Sequence, residues 1–140
     1  MTGRAFVDSN ILIYTIDSRA GSKRDVARAR VEQLWDSGLG CISTQVLQEF
    51  YNTVVRKLQP ALPREEAAAL VQDYARWDLV VVDAHTIVRA AGIEARYRLS
   101  FWDALIVAAA ARSGAETLLT EDLSHGQDVE GIRIENPFLS

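Results

Sequence analysis

A single cysteine, two histidines and no long apolar run set the first limits on this 140-residue chain. One cysteine, Cys41, excludes an internal disulfide. It lies in the apolar stretch 39–42 with no His or Lys beside it, so it reads as a small core residue rather than a reactive thiol. His85 and His125 are far apart, and with one thiol there is no donor set for a zinc centre. The most apolar stretch, 104–111, is far too short to span a bilayer, and no secretory leader is evident. A cytoplasmic protein with no membrane partner is therefore expected.

What is present suits one globular domain over residues 1–140, at 49% hydrophobic and 24% charged residues. The net charge of −4 argues at first against a nucleic-acid partner, but it is unevenly spread. Residues 1–60 hold eight Lys/Arg against six Asp/Glu, and residues 61–140 hold seven against thirteen. A local basic surface is compatible with that total. Arg24 with Arg28, Lys23 with Arg30, and Arg56 with Lys57 are its candidates, although taken alone they are better explained as a plain solvated helix face.

The chain has no repeats or linker and alternates short β-rich runs with helical stretches. Strands are expected at 5–7, 40–43, 79–82 and 117–120, with a short fifth at 132–134. Helices are expected at 9–16, 23–35, 45–57, 64–76, 84–97 and 101–113. Ser22, Thr44, Asp83 and Ser100 are the expected N-caps, and Gly38 and Gly114 end two of the helices. Pro63 suits a first helical turn. Such alternation predicts an α/β fold with a parallel sheet between helical layers.

In such sheets ligands bind beyond the carboxyl ends of the strands. Four acids fall at that edge. Asp8 follows the first strand, and Glu49 is near the start of the helix after the second. Asp103 is in the first turn of the helix that feeds the fourth strand, and Asp122 lies two residues past Thr120. Clustered carboxylates repel one another unless a cation neutralises them, and hard oxygen donors suit Mg²⁺ or Mn²⁺. Asn10 and Thr120 could orient such carboxylates. Each acid also has a plain structural explanation. Asp8 could cap the first helix, and Asp103 could close a capping box with Ser100. Glu49 could be a solvated surface acid, and Asp122, or its rival Glu121, a turn residue. Trp35, Tyr97, Phe101 and Trp102 read as core or interface residues, and both histidines as surface residues.

Four segments carry a family resemblance. They are Phe6-Val7-Asp8-Ser9-Asn10-Ile11-Leu12-Ile13-Tyr14, Ser43-Thr44-Gln45-Val46-Leu47-Gln48-Glu49-Phe50, Leu99-Ser100-Phe101-Trp102-Asp103-Ala104-Leu105-Ile106 and Leu118-Leu119-Thr120-Glu121-Asp122-Leu123, the last followed by Ser124-His125-Gly126. Singly each is weak; four in this order, each centred on an acid, are specific. The chain resembles the PIN-domain nucleases, and most closely the VapC-type toxins of bacterial toxin–antitoxin pairs, over nearly its whole length. The resemblance implies a three-layer α/β/α sandwich and Mg²⁺- or Mn²⁺-dependent cleavage of RNA. It assigns the metal and catalytic roles to Asp8, Glu49, Asp103 and Asp122. It also implies a homodimer and a small cognate antitoxin. Many members carry a further acid shortly after the position of Asp122, where this chain has Leu123, Ser124 and His125; Glu121 is the nearest substitute.

Two other classes compete. A haloacid-dehalogenase-like phosphatase also opens with an acid after a strand, but it needs a second Asp two residues on, where Asn10 stands here. It also needs a lysine, and none follows Lys57. A non-catalytic RNA-binding module gains nothing from four clustered acids.

Overall fold

The computed structural model describes residues 3–139. Its elements are β1 (Ala5–Val7), α1 (Ser9–Ile16), α2 (Ser22–Ser37), β2 (Gly40–Ser43), α3 (Thr44–Arg56), α4 (Arg64–Tyr74), β3 (Asp78–Val80), α5 (Ala84–Tyr97), α6 (Phe101–Ser113), β4 (Thr117–Leu119), β5 (Asp128–Val129) and β6 (Ile132–Glu135). The strands form one sheet in the order β3-β2-β1-β4-β6-β5. All neighbours pair in parallel except β5, which runs antiparallel to β6.

The strand order fixes the layers. The connections β1 to β2 and β2 to β3 step outward in one direction, and β3 to β4 returns the opposite way across two strands. Right-handed crossovers then place α1–α4 on one face and α5–α6 on the other. The α/β/α sandwich read from the sequence is the fold observed. Phe6, Val7, Ile42, Leu118, Leu119 and Ile134 are fully buried strand residues, as central parallel strands covered on both faces require. Helix α6 is buried from Ala104 to Ala110, and its alanines let it lie close beneath the sheet. Gly40 has a comparable role in β2, where a Cβ would stand 2.6 Å from the Trp77 ring.

Local expectations differ from the structure at several helix ends and strands. Ser22 is the first residue of α2 rather than its cap; that position falls to Gly21, with φ +61° and no side-chain bond. Ser43, not Thr44, caps α3, accepting from the Val46 amide. The Thr44 hydroxyl instead accepts from the Val82 amide at 3.1 Å and holds the end of β3 against α3. Pro63 is the N-cap of α4 and not yet helical. Strand β3 begins one residue earlier than expected and ends at Val80, and β4 ends at Leu119, one residue before Thr120. The two-residue β5 is additional. Asp83 and Ser100 cap α5 and α6, and Gly38 and Gly114 terminate α2 and α6, as the sequence predicts. Cys41 is buried, and both histidines are exposed. Among the aromatics expected inside, Trp102 at 63% and Trp35 at 40% are exposed.

Candidate active site

The sheet has a topological switch point between β1 and β4, where chain connections depart in opposite directions. Crevices at strand carboxyl ends open at such points. Asp8 and Thr120 are the residues that follow β1 and β4 there. Both are buried, with the Asp8 backbone amide donating to the Leu119 carbonyl at 3.0 Å.

Asp8 is both cap and site residue. Its Oδ1 accepts from the Ser9 amide at 2.7 Å, which starts α1. Its Oδ2 accepts from the Thr120 hydroxyl at 2.8 Å and from Asn10 Nδ2 at 3.4 Å. The same Asn10 amide donates to Asp122 Oδ2 at 3.0 Å and lies 3.4 Å from Thr120 Oγ1. Thr120 Oγ1 in turn accepts from the Asp122 amide at 3.1 Å, shaping the turn that carries Asp122. Asn10 and Thr120 thus tie two carboxylates 114 positions apart in the chain into one network.

Glu49 joins from α3. The Ser9 hydroxyl donates to Glu49 Oε1 at 3.1 Å, and Gln45 Nε2 donates to Glu49 Oε2 at 3.4 Å. Gln45 Nε2 also reaches the Trp102 carbonyl at 3.3 Å, one residue before Asp103. Asp103 has its amide capped by Ser100 Oγ at 3.1 Å, and the Ser100 side chain also bears on its carboxyl. That combination is half of a capping box without the reciprocal bond.

The electrostatics follow from this arrangement. Burial pushes the Asp8 carboxyl up from 3.8 to about 7; Thr120 and the Ser9 amide oppose the rise, and the charges of Asp122 and Glu49 add to it. The Asp103 carboxyl is also raised, first by burial and then by Asp122, against the Ser100 bond. Asp8 therefore senses Glu49 and Asp122, and Asp103 senses Asp122. Serine, asparagine and glutamine side chains lie between the acids, and among the described residues no three His, Cys, Asp or Glu side chains are grouped tightly enough to hold an ion together. The donor chemistry nevertheless fits a hard divalent cation. The acids provide carboxylate oxygens, and two buried amide oxygens beside them, Asn10 Oδ1 and Gln45 Oε1, have no hydrogen-bond partner.

Glu121 faces another way. It accepts from the Tyr14 hydroxyl and pairs with Lys23 at 2.9 Å, so its carboxylate is engaged outside the Asp8 network. Lys23 in turn sits over the Tyr14 and Phe138 rings. The basic candidates on α2 are largely engaged within the chain. Arg28 donates to the Thr15 carbonyl at 2.9 Å, and Arg30 pairs with Glu135 at 3.1 Å. Arg56 bonds Asn52 on its own helix at 2.9 Å. Gln45 and Ser9 were not singled out by sequence reasoning. Gln45 carries one usable signal, a polar residue in the first turn of α3 among buried Val46, Leu47 and Phe50.

By sequence, no curated protein matches the chain. Solved structures share its fold. A toxin–antitoxin complex from Klebsiella pneumoniae superposes with a TM-score of 0.71 at 19% identity, covering 96% of this chain and 98% of that one. DNA-bound VapBC from Salmonella typhimurium gives 0.67 at 23% identity, with the same coverage of 96% and 98%. VapC20 from Mycobacterium tuberculosis, described as a sarcin-ricin loop cleaving toxin, gives 0.62 at 20% identity, covering 84% of this chain and 91% of that chain. The sequence profile of the PIN domain matches residues 5–126, most of the chain and all four acidic positions, and the chain belongs to the PIN domain family.

Proposed function

We propose that this chain, acting as one nuclease domain over residues 1–140, is a metal-dependent endoribonuclease and the toxin of a toxin–antitoxin pair. The observation that carries the reading is Asp8, a carboxylate buried at the switch point and linked through Asn10 and Thr120 to Asp122. A buried carboxyl beside two further acids is unfavourable for folding, and such a group is expected where charge is to be neutralised by a ligand.

In this reading Asp8, Glu49, Asp103 and Asp122 hold Mg²⁺ or Mn²⁺. The bound ion would neutralise a scissile phosphate and make a water nucleophilic at neutral pH. Thr120 holds one oxygen of Asp8 and leaves the other to the Ser9 amide, which fixes the carboxyl plane. Asn10 sets the spacing of Asp8 and Asp122. Glu121 supports the same turn from outside by its bonds to Tyr14 and Lys23. No histidine pair lies in this network to activate the RNA 2′-hydroxyl, and the Ser9 and Thr120 hydroxyls are both committed to carboxylates, so in this reading water is the attacking group. In-line attack on phosphorus leaves a 5′-phosphate and a 3′-hydroxyl.

The partners proposed are an RNA substrate, a small antitoxin and a second copy of the chain. The toxin–antitoxin complexes among the structural neighbours support the antitoxin, and the RNA-cleaving toxin supports the substrate class. No helix among the described residues is long and apolar enough to cross a membrane; action in the cytoplasm is part of the proposal. The phosphatase alternative is disfavoured by Asn10, whose amide is engaged with Asp8, Thr120 and Asp122. Incubating the purified chain with single-stranded RNA tests the proposal. Cleavage with Mg²⁺ or Mn²⁺ that stops with a chelator is expected; RNA left intact under all metal conditions overturns it.

A further inference from the structure

Gln45 stands apart from the acids in being neutral, yet it touches two of the segments that carry them. The residue is 5% exposed, in the first turn of α3, two positions after the Ser43 cap. Through Nε2 it bonds Glu49 one turn along the same helix and the Trp102 carbonyl at the start of α6. These two elements lie in opposite layers of the sandwich, so the amide bridges them over the end of the sheet. Its Oε1 is buried and has no donor.

An unpaired buried acceptor opposes folding, and the adjacent Val46 and Leu47 show that this part of α3 accepts apolar side chains. A methionine or leucine would serve packing better. The polar side chain is therefore explained by what it does for the carboxylates. An amide donor steadies Glu49 without adding a further negative charge to a crowded site, and the Trp102 bond holds Asp103 in register with it.

We infer that Gln45 is a positioning residue of the acidic site, fixing Glu49 on α3 against the Asp103-bearing start of α6. The inference rests on the metal-binding reading of that site. It makes Gln45 the counterpart of Asn10. Asn10 ties Asp8 to Asp122, and Gln45 ties Glu49 to the segment of Asp103. Ligands held by a supporting hydrogen-bonding shell bind metal more tightly than free ones, typically by about 10–100-fold.

The test is Mn²⁺ affinity by calorimetry on wild type and Gln45→Met, together with the melting temperature of each in chelator. Methionine nearly keeps the volume and removes both hydrogen bonds. The expected result is a loss of Mn²⁺ affinity of about 10–100-fold with the metal-free melting temperature unchanged or raised. A merely structural glutamine would shift melting and leave affinity alone, and unchanged affinity overturns the inference. Should Gln45→Met melt early or fail to fold, Gln45→Asn, which keeps the amide but shortens its reach, decides. Wild-type affinity in that variant overturns the inference, and weakened Mn²⁺ binding with intact melting supports it. Wild-type protein that binds no Mn²⁺ removes the metal-site reading and this inference with it, whereas strong wild-type binding matched by the variants removes the inference alone.

Discussion

The Thr120 hydroxyl donates to Asp8 Oδ2 at 2.8 Å while accepting from the Asp122 amide at 3.1 Å, so one buried side chain joins the ends of β1 and β4. Replacing it with valine keeps the shape and deletes both bonds. A hydrogen bond to a charged group contributes about 1.5–3 kcal/mol. Thr120→Val is expected to lower the unfolding free energy by that order at pH 8, where Asp8 is ionised. RNA cleavage is expected to fall by about 10–100-fold. Urea unfolding and a cleavage assay on one preparation check both.

Asp103→Asn separates capping from catalysis. The cap bond runs from the Asp103 amide to Ser100 Oγ and survives the substitution. Cleavage is expected to drop by at least about 100-fold, with melting almost unchanged. Ser100→Ala is expected to do the reverse, costing about 0.5–2 kcal/mol of stability with cleavage largely retained. An early-melting Asp103→Asn that cleaves at the wild-type rate would make Asp103 purely structural.

The Asp8 carboxyl gives the metal-free protein a pH signature. Its folded value, about 7, lies above the ordinary 3.8, so between these the native state binds the extra proton. Its contribution to stability is present in full below about pH 4 and is lost as pH rises through about 7. Asp83 acts in the opposite sense at lower pH. The Thr86 amide and hydroxyl hold its carboxyl down at about 2, so its contribution is present in full above 3.8 and is lost as pH falls from there through about 2. Melting curves in chelator from pH 4 to 8 are expected to show wild type declining relative to Asp8→Asn, which has no such proton. Parallel curves would refute the assignment.

Gly40 offers a control far from the acids. A Cβ there would stand 2.6–2.8 Å from three atoms of the Trp77 ring. That ring is itself packed edge-on against Trp35 and Tyr74. Gly40→Ala is expected to lower stability by about 1–3 kcal/mol while leaving metal-dependent cleavage per folded molecule unchanged.

Much of the architecture was legible because its signals are local. The Phe6-Val7 run into Asp8, and the Ser100 and Asp83 caps, each lie within a few residues of what they determine. What escaped depends on contacts between distant segments. Gly21 displaces Ser22 as a cap, and Ser43 displaces Thr44 because the Thr44 hydroxyl is engaged by Val82. Strand β5 is two residues long and exists only by pairing with β6. Glu121 sits beside Asp122 in sequence, but Lys23, 98 positions away, draws it out of the network. Gln45 bridges 57 positions to Trp102, a link that no local pattern announces.

If these acids direct a metal-activated water onto RNA, the ends of the cleaved RNA record it. Digesting a labelled single-stranded RNA with Mn²⁺ and mapping the product termini is expected to show 5′-phosphate and 3′-hydroxyl ends. These should be absent with chelator and with Asp8→Asn. Cyclic 2′,3′-phosphate ends, formed equally well in chelator and by the Asp8→Asn variant, would rule out metal-dependent hydrolysis at this site.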